Sequence, residues 1–158
     1  MRLRTEIIGP GQPDEEEEIV IRCKSYGDDV SALESAVRRL LSEEKGISLY
    51  RDGTEFYLPH SEILFFETDG RRVVAHTARD LFYARDKLFT LDRSLPPTFV
   101  RASKSCIVNA AAVFSVRRGV TGVTEIGFRN TEKKAYISRS YFKSFSDKME
   151  DIRRYLLT

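Results

Sequence analysis

The sequence lacks a long apolar run. No stretch of its 158 residues approaches the ~20 consecutive apolar residues that a transmembrane helix requires. The first ten residues, MRLRTEIIGP, contain too short an apolar segment for a secretory signal peptide. We therefore expect a cytoplasmic protein without direct membrane insertion. Its 41% hydrophobic and 32% charged residues are typical of a soluble chain that buries a core.

Cysteine and histidine are scarce, with two residues of each. Cys23 and Cys106 stand alone among apolar neighbours, so we expect two small buried side chains rather than a disulfide. His60 and His76 lie far from both cysteines in the sequence, which makes a zinc site improbable. The sequence predicts no metal and no cofactor.

Motifs of catalysis are also missing. The chain has no glycine-rich phosphate loop, no G-x-S-x-G nucleophile elbow and no zinc-protease histidine pair. Its carboxylates are mostly in predicted turns and on predicted helix faces. Residues 1–46 are too few to form the alternating strands and helices of a phosphorylated receiver domain. We therefore predict no catalytic residue and expect that the protein is not an enzyme.

Positive charge is concentrated in the last third of the chain. Residues 101–158 contain 12 Lys and Arg against 5 Asp and Glu, whereas residues 1–50 contain 7 against 11. The formal net charge of the whole chain is only +2. Such an asymmetry favours a polyanionic partner for the C-terminal part.

The pattern of apolar residues predicts a mainly β (α+β) fold. Strands are expected at residues 3–8 and 18–23, followed by an amphipathic helix at 29–45 that ends at Gly46. These elements form a predicted strand–strand–helix extension, residues 1–46, with a possible regulatory or dimerisation role.

Residues 47–158 are predicted to form a second unit of antiparallel sheets. Asp52-Gly53 and Asp69-Gly70 are typical of tight hairpin turns. The remaining pattern predicts strands at 81–83, 113–116, 121–128 and 134–138, a short helix at 88–95, and a C-terminal helix with one apolar face (Phe142, Phe145, Met149, Ile152 and Leu156).

Three polar clusters stand at predicted strand ends, each beside apolar residues. They are Arg71-Arg72; Arg101, Ser103, Lys104 and Ser105; and Ser138-Arg139-Ser140, followed by Lys143. Hydroxyls and cations are the groups that bind phosphate oxygens, and Arg and Lys also donate to guanine O6 and N7. Each cluster alone has a simpler interpretation, as a helix cap or as surface charge. Together they favour a surface that binds duplex DNA.

Three ordered segments resemble the LytTR DNA-binding domain: LPHSEILFFETDGRRVVAHT, LPPTFVRASKSCIVNAAAV and KKAYISRSYFKSF. The family pattern is carried here by Glu62, Ile63 and Glu67; by Phe99, Arg101, Ser105, Val108 and Asn109; and by Ser138 and Arg139. The resemblance extends over residues 47–150. Position 103 departs from it, because this chain has serine where many members have histidine or asparagine.

The resemblance implies antiparallel sheets that insert loops, rather than a recognition helix, into successive major grooves. It implies a bacterial transcription regulator that binds paired direct repeats of double-stranded DNA as a homodimer. Base contacts would come from Arg71, Lys104, and Arg139 or Ser140, and phosphate contacts from Arg72, Arg101, Ser103, Ser105, Ser138 and Lys143. Asn109 would fix a loop through backbone hydrogen bonds. Small stand-alone members are often restrained by a membrane protein, which implies such an inhibitor as a further partner.

Two other functions remain open at this point. The acidic N-terminal part and the apolar face of its helix favour a protein- or ligand-binding module without its own DNA specificity. RNA binding is less favoured because Phe65, Phe66, Phe128 and Tyr136 are expected in the core, and not on an exposed surface where bases could stack.

Overall fold

The structure is mainly β and antiparallel (α+β), as the sequence predicts. It is a computed structural model that describes residues 19–25, 27–43 and 46–156. None of the helices in these ranges is long and apolar enough to span a membrane. The described residues form helices α1 (Asp28–Glu43), α2 (Leu88–Ser94) and α3 (Arg139–Leu156), and strands β1 (Ile47–Arg51), β2 (Thr54–Leu58), β3 (Phe65–Asp69), β4 (Arg72–His76), β5 (Leu81–Ala84), β6 (Phe99–Ser103), β7 (Cys106–Asn109), β8 (Val113–Arg118), β9 (Thr124–Phe128) and β10 (Lys134–Ile137).

The strands assemble into two antiparallel sheets. The larger has the order β2-β1-β5-β4-β3-β7-β6, and the smaller has the order β10-β9-β8. Within the larger sheet β3 lies between β4 and β7, so that Phe66 is opposite Ala75 on one side and Ile107 on the other. The β3–β4 turn and the β6–β7 turn therefore project from the same end of this sheet.

Alternation along the central strands divides the apolar side chains between two cores. Phe65 joins a core shared with β9, β10 and α3, whereas the next residue, Phe66, joins a core shared with α2. All four residues of β7 are buried, because both cores cover this strand. Burial of each large apolar side chain contributes about 1.5–3 kcal/mol. The double coverage holds β7, and with it the β6–β7 turn, in a fixed position.

Two hairpin turns show how glycine sets the register. Asp52 (φ 50°) and Gly53 (φ 75°) both have positive φ, as the predicted primed turn between β1 and β2 requires. In the next hairpin β3 continues to Asp69, so the turn is formed by Gly70 (φ 60°) and Arg71, one residue later than expected. This shift places Arg71 at the tip of the turn.

The N-terminal prediction is only partly confirmed. Helix α1 agrees with the predicted helix over most of its length, while the predicted strand at residues 3–8 lies outside the described residues. The predicted strand at 18–23 is wrong for residues 19–23, which form no strand, and Ile19 and Val20 are exposed. A short apolar run alone does not make a strand, because the backbone also needs a neighbouring strand for its hydrogen bonds.

Burial also departs from the sequence prediction at a few side chains. Cys106, Phe65, Phe66 and Phe128 are buried as expected. Cys23 and Tyr136 (53%) are instead exposed, and in the predicted strand at 113–116, whose apolar residues favour burial, Phe114 (58%) and Val116 (43%) are exposed as well. Strand β8 forms the edge of the smaller sheet and has an irregular register between Val113 and Ser115, which turns Phe114 outwards. Tyr136 lies between buried Ala135 and Ile137, and so points to the opposite face of its strand.

Candidate nucleic-acid interface

Two backbone hydrogen bonds bring the three predicted polar clusters to one end of the molecule. The Thr68 N–H donates to the Ser105 carbonyl (2.9 Å), which joins the β3–β4 hairpin to the β6–β7 turn. The Ser138 N–H donates to the Ala102 carbonyl (2.9 Å), which joins the start of α3 to the end of β6. We call this end of the molecule the interface end, and it is formed by the β3–β4 turn, the β6–β7 turn and the first turn of α3.

The β6–β7 turn is held in shape by Arg101. Its Nε donates to the Ser103 carbonyl (2.7 Å) and its Nη2 donates to the Lys104 carbonyl (2.6 Å). The third nitrogen, Nη1, lies 3.4 Å from the Asp92 carboxylate. Arg101 thus has an intramolecular role that the sequence did not predict, and its contact with phosphate stays a prediction.

The tip of this turn presents a cation and two hydroxyls. The Ser105 N–H donates to Ser103 Oγ (3.2 Å), and the two hydroxyl oxygens are 3.4 Å apart. Lys104 is exposed, and its ammonium group makes no hydrogen bond or ion pair with any residue that the structure describes. The braced backbone therefore presents the Lys104 ammonium group to solvent.

The β3–β4 turn adds two more cations to the interface end. Arg71 is exposed at the tip and has no polar partner within the described ranges. Arg72 starts β4, and its guanidinium carbon lies 5.1 Å from the ring centroid of Tyr83 on β5. Such a contact holds the guanidinium group against the ring and leaves the nitrogens that face away from the ring free to donate. Asp69 places one carboxylate in the same turn.

The start of α3 is the third component of the interface end. The hydroxyl oxygens of Ser138 and Ser140 are 3.4 Å apart. Ser140 and Lys143 line an open groove between β6 and α3 together with Arg101, and Asp92 and Asp147 also line it. The second and third predicted clusters thus share one surface.

Arg139 does not point freely to solvent as a base-reading side chain would. Its Nε donates to the Thr121 carbonyl (2.6 Å), and its Nη2 donates to the same oxygen. Thr121 belongs to the turn between β8 and β9, which sequence reasoning did not place near the interface. In the sequence, this β8–β9 turn, which is a fourth element beside the interface end, is marked only by the Arg117-Arg118-Gly119 triplet.

Two buried side chains lie at opposite ends of β7: Cys106 is next to the β6–β7 turn, and Asn109 is at the other end, away from the interface end. Asn109 donates from Nδ2 to the Ile63 carbonyl (2.9 Å) and accepts from the Ala111 N–H (3.2 Å), which agrees with its predicted loop-fixing role. Burial raises the pKa of the Cys106 thiol to about 12, with a further contribution from the Glu67 carboxylate. Cys106 is therefore a neutral packing residue beneath the β6–β7 turn.

The arrangement can be compared with known proteins. A family profile described as the LytTr DNA-binding domain matches residues 54–150. The chain belongs to the LytTR family. A LytTr DNA-binding domain from Bacillus cereus has the same fold, with a TM-score of 0.62 and 17% sequence identity; the match covers 66% of this chain and 96% of that one.

Relatives that match most of this LytTR chain occur in Staphylococcus aureus. An "Uncharacterized HTH-type transcriptional regulator" of strain NCTC 8325 is 26% identical over 131 residues, which cover 83% of this chain and 88% of the relative. A protein of the same description from strain RF122 is 27% identical over 132 residues, with the same coverage.

In the described structure of this LytTR chain α1, α2 and α3 are separated by strands, and no two of them are consecutive.

Proposed function

We propose that the protein is a sequence-specific transcription regulator that binds duplex DNA by inserting the loops of its interface end into the major groove. The observation that carries the proposal is the position of Lys104, on a turn that is braced by Arg101 and has no partner of its own among the described residues. Membership of a DNA-binding family and the names of the relatives support it. The net charge of the last third supplies the general attraction to phosphate.

The side chains of the interface end divide into two proposed roles. Lys104 and Arg71 are long, exposed and unpartnered, and so they are suited to donate to guanine O6 and N7 in the major groove. Ser140, and Arg139 if its contact with Thr121 breaks on binding, would complete the base contacts. The proposed phosphate contacts are Arg72, Arg101, Ser103, Ser105, Ser138 and Lys143.

The assembly on DNA is also part of the proposal. Each chain would occupy one half-site of a direct repeat, and two chains would bind as a homodimer in the cytoplasm. Residues 47–158 would carry DNA binding, while residues 1–46 would serve dimerisation or regulation, for example by a membrane-protein inhibitor. Deleting residues 1–46 tests this division: the remaining fragment should select the same half-site, with weaker preference for paired sites.

Selection from a random duplex DNA pool at near-physiological salt tests the function directly, because non-specific electrostatic binding is weak there. We expect two similar half-sites in direct repeat. Lys104→Ala should cost about 1–3 kcal/mol on the selected site and relax the preference at one base pair. Arg79→Ala is the matched control, because it removes one exposed positive charge from the β4–β5 turn at the opposite end of the sheet.

Two results would contradict the proposal in different ways. Recovery of no motif by the unchanged chain would exclude sequence-specific binding by this protein alone. Equal effects of Lys104→Ala and Arg79→Ala would mean that the interface end has been assigned to the wrong surface.

A further inference from the structure

The β8–β9 hairpin ends beside the interface end, although none of the predicted clusters lies on it. Arg118 of β8 is opposite Thr124 of β9, and Thr124 is in turn opposite Ile137, the last residue of β10. Because α3 follows β10 directly, the β8–β9 turn and the start of α3 project in the same direction. The hairpin is thus adjacent to Ser138 and Ser140.

Arg139 fixes the turn of this hairpin onto the start of α3. Both Nε and Nη2 of Arg139 donate to the Thr121 carbonyl, so the guanidinium plane has a defined orientation. The next residue, Gly122, has φ 84°, and a Cβ atom there would lie 2.5 Å from Arg139 Nε. Glycine at this position allows both the positive φ and the close approach of the arginine.

The hairpin also carries a cation to the interface end. The guanidinium carbon of Arg118 lies 4.3 Å from the ring centroid of Phe142, which precedes Lys143 on α3. Arg118 is exposed and makes no ion pair within the part of the chain that the structure describes. Its neighbour Arg117 differs, since it is paired with Glu125 at 3.0 Å. Val120 at the tip of the hairpin is fully exposed.

We propose that the β8–β9 hairpin is a fourth DNA-contacting loop, in which Arg118 binds a backbone phosphate and Arg139 is the residue that positions the loop. The inference rests on the proposed function, since it extends the same surface. Phosphate is the expected ligand of Arg118 because its guanidinium group is held over the Phe142 ring at the margin of the surface, where the DNA backbone is nearer than a base edge. In this arrangement Arg139 keeps its contact with Thr121 on DNA and acts through it, in place of the base contact considered above.

The salt dependence of DNA binding tests the role of Arg118. With the full chain and its selected duplex, affinity is measured between 50 and 200 mM salt for the wild type, Arg118→Gln and the opposite-end control Arg79→Gln. Removing one phosphate contact should reduce the slope of log K against log salt by about 0.9. Arg118→Gln should show this change and still select the same motif, whereas Arg79→Gln should retain the wild-type slope.

A double-variant measurement tests the role of Arg139. If Arg139 only positions the loop, Arg139→Gln should lower the slope as Arg118→Gln does, and the double variant should lose no more than either single variant. Additive losses would overturn this role, because they would mean that Arg139 binds DNA itself. Thermal unfolding of each variant verifies that the chain remains folded. Gly122→Ala should displace the β8–β9 turn from Arg139 in the same way, because the added Cβ atom would approach the arginine side chain too closely.

The outcomes separate this inference from the function on which it rests. If the wild-type chain selects no duplex motif, both the proposed function and the fourth DNA-contacting loop are contradicted. A wild-type chain that selects a motif, together with an Arg118→Gln slope equal to that of Arg79→Gln, would overturn the fourth loop and leave the proposed function intact.

Discussion

At the end of the sheets opposite the interface, Lys133 and Arg51 hold neighbouring turns together, whereas at the interface end Lys104 and Arg71 contact no polar group among the described residues. The Lys133 ammonium group donates to the Thr77 carbonyl (2.9 Å) and to the Asp80 carbonyl (2.6 Å), so that the β9–β10 turn closes onto the β4–β5 turn. Arg51 forms an ion pair with Asp80 at 2.9 Å.

This difference distinguishes cations that maintain the fold from cations that are available to a ligand. Burial lowers the pKa of Lys133, which reflects its partial removal from water in exchange for carbonyl contacts. Lys104 and Arg71 are exposed, and cations of this kind that neutralise phosphates release the counterions condensed on DNA, which is what makes DNA binding salt-dependent. Arg79 resembles the interface cations although it lies at the opposite end, which is why it serves as the control for them.

The largest effect on stability is expected at the opposite end. Lys133→Met keeps most of the apolar stem but removes the ammonium group, so the Thr77 carbonyl loses its described donor. The free energy of unfolding should fall by about 1–3 kcal/mol, which is typical of a polar group left unsatisfied. Chemical denaturation measures this change. The DNA affinity of the folded variant should equal that of the wild type, and a loss comparable to that of Lys104→Ala would show that the two ends are not independent.

A smaller, kinetic difference is expected between the two cysteines. Cys23 is exposed, whereas Cys106 is buried beneath the β6–β7 turn and its pKa is raised to about 12. The thiolate is the reactive form, so alkylation at pH 8 should label Cys23 rapidly and Cys106 only when the turn opens or the chain unfolds. Mass spectrometry of timed samples distinguishes the two sites. Equal labelling rates in the folded protein would mean that the interface turn is not rigid.

The sequence predicts the strands of the LytTR domain well because turn chemistry and apolar alternation agree there. Asp52-Gly53 has the positive φ values that its hairpin requires, and Phe65 and Phe66 point to opposite cores as alternation dictates. At residues 19–23 the run of β-branched residues is misleading, since no described strand pairs with them. Pattern reasoning identifies a strand only when its partner is also present.

The sequence predicted which residues lie at the interface end better than it predicted the contacts that their side chains make. The sequence placed Arg71, Lys104 and Ser140 at strand ends, and the structure brings all three to one end of the molecule. It gave no indication that Arg101 and Arg139 donate to carbonyls of their own chain. The Arg101 contacts are local, two and three positions along the chain, and depend on the shape of the β6–β7 turn. The contact between Arg139 and Thr121 spans 18 positions of sequence and is visible only in the folded chain.

The smallest expected effect is a pH dependence at the opposite end, where His76 ends β4. Its Nε2 lies 2.8 Å from Glu67 Oε1, its ring stacks on Phe65, and its buried Nδ1 has no hydrogen-bond partner in the described structure. Burial lowers the pKa of His76 below its ordinary value of 6.5, Lys133 lowers it further, and Glu67 partly opposes both. The folded chain therefore holds His76 neutral where the unfolded chain would begin to protonate it.

Because the unfolded state then binds more protons, the free energy of unfolding should decrease as the pH falls from 7.5 through 6.5 to 5.5. His76→Gln cannot titrate, so its stability should vary less over this range. Urea denaturation of both proteins at the three pH values measures the difference. A wild-type chain that is as stable at pH 5.5 as at pH 7.5, or a variant with an unchanged dependence, would mean that His76 is solvated and paired with Glu67 as a cation. The end of the sheets opposite the interface would then contain one more ion pair, between protonated His76 and Glu67.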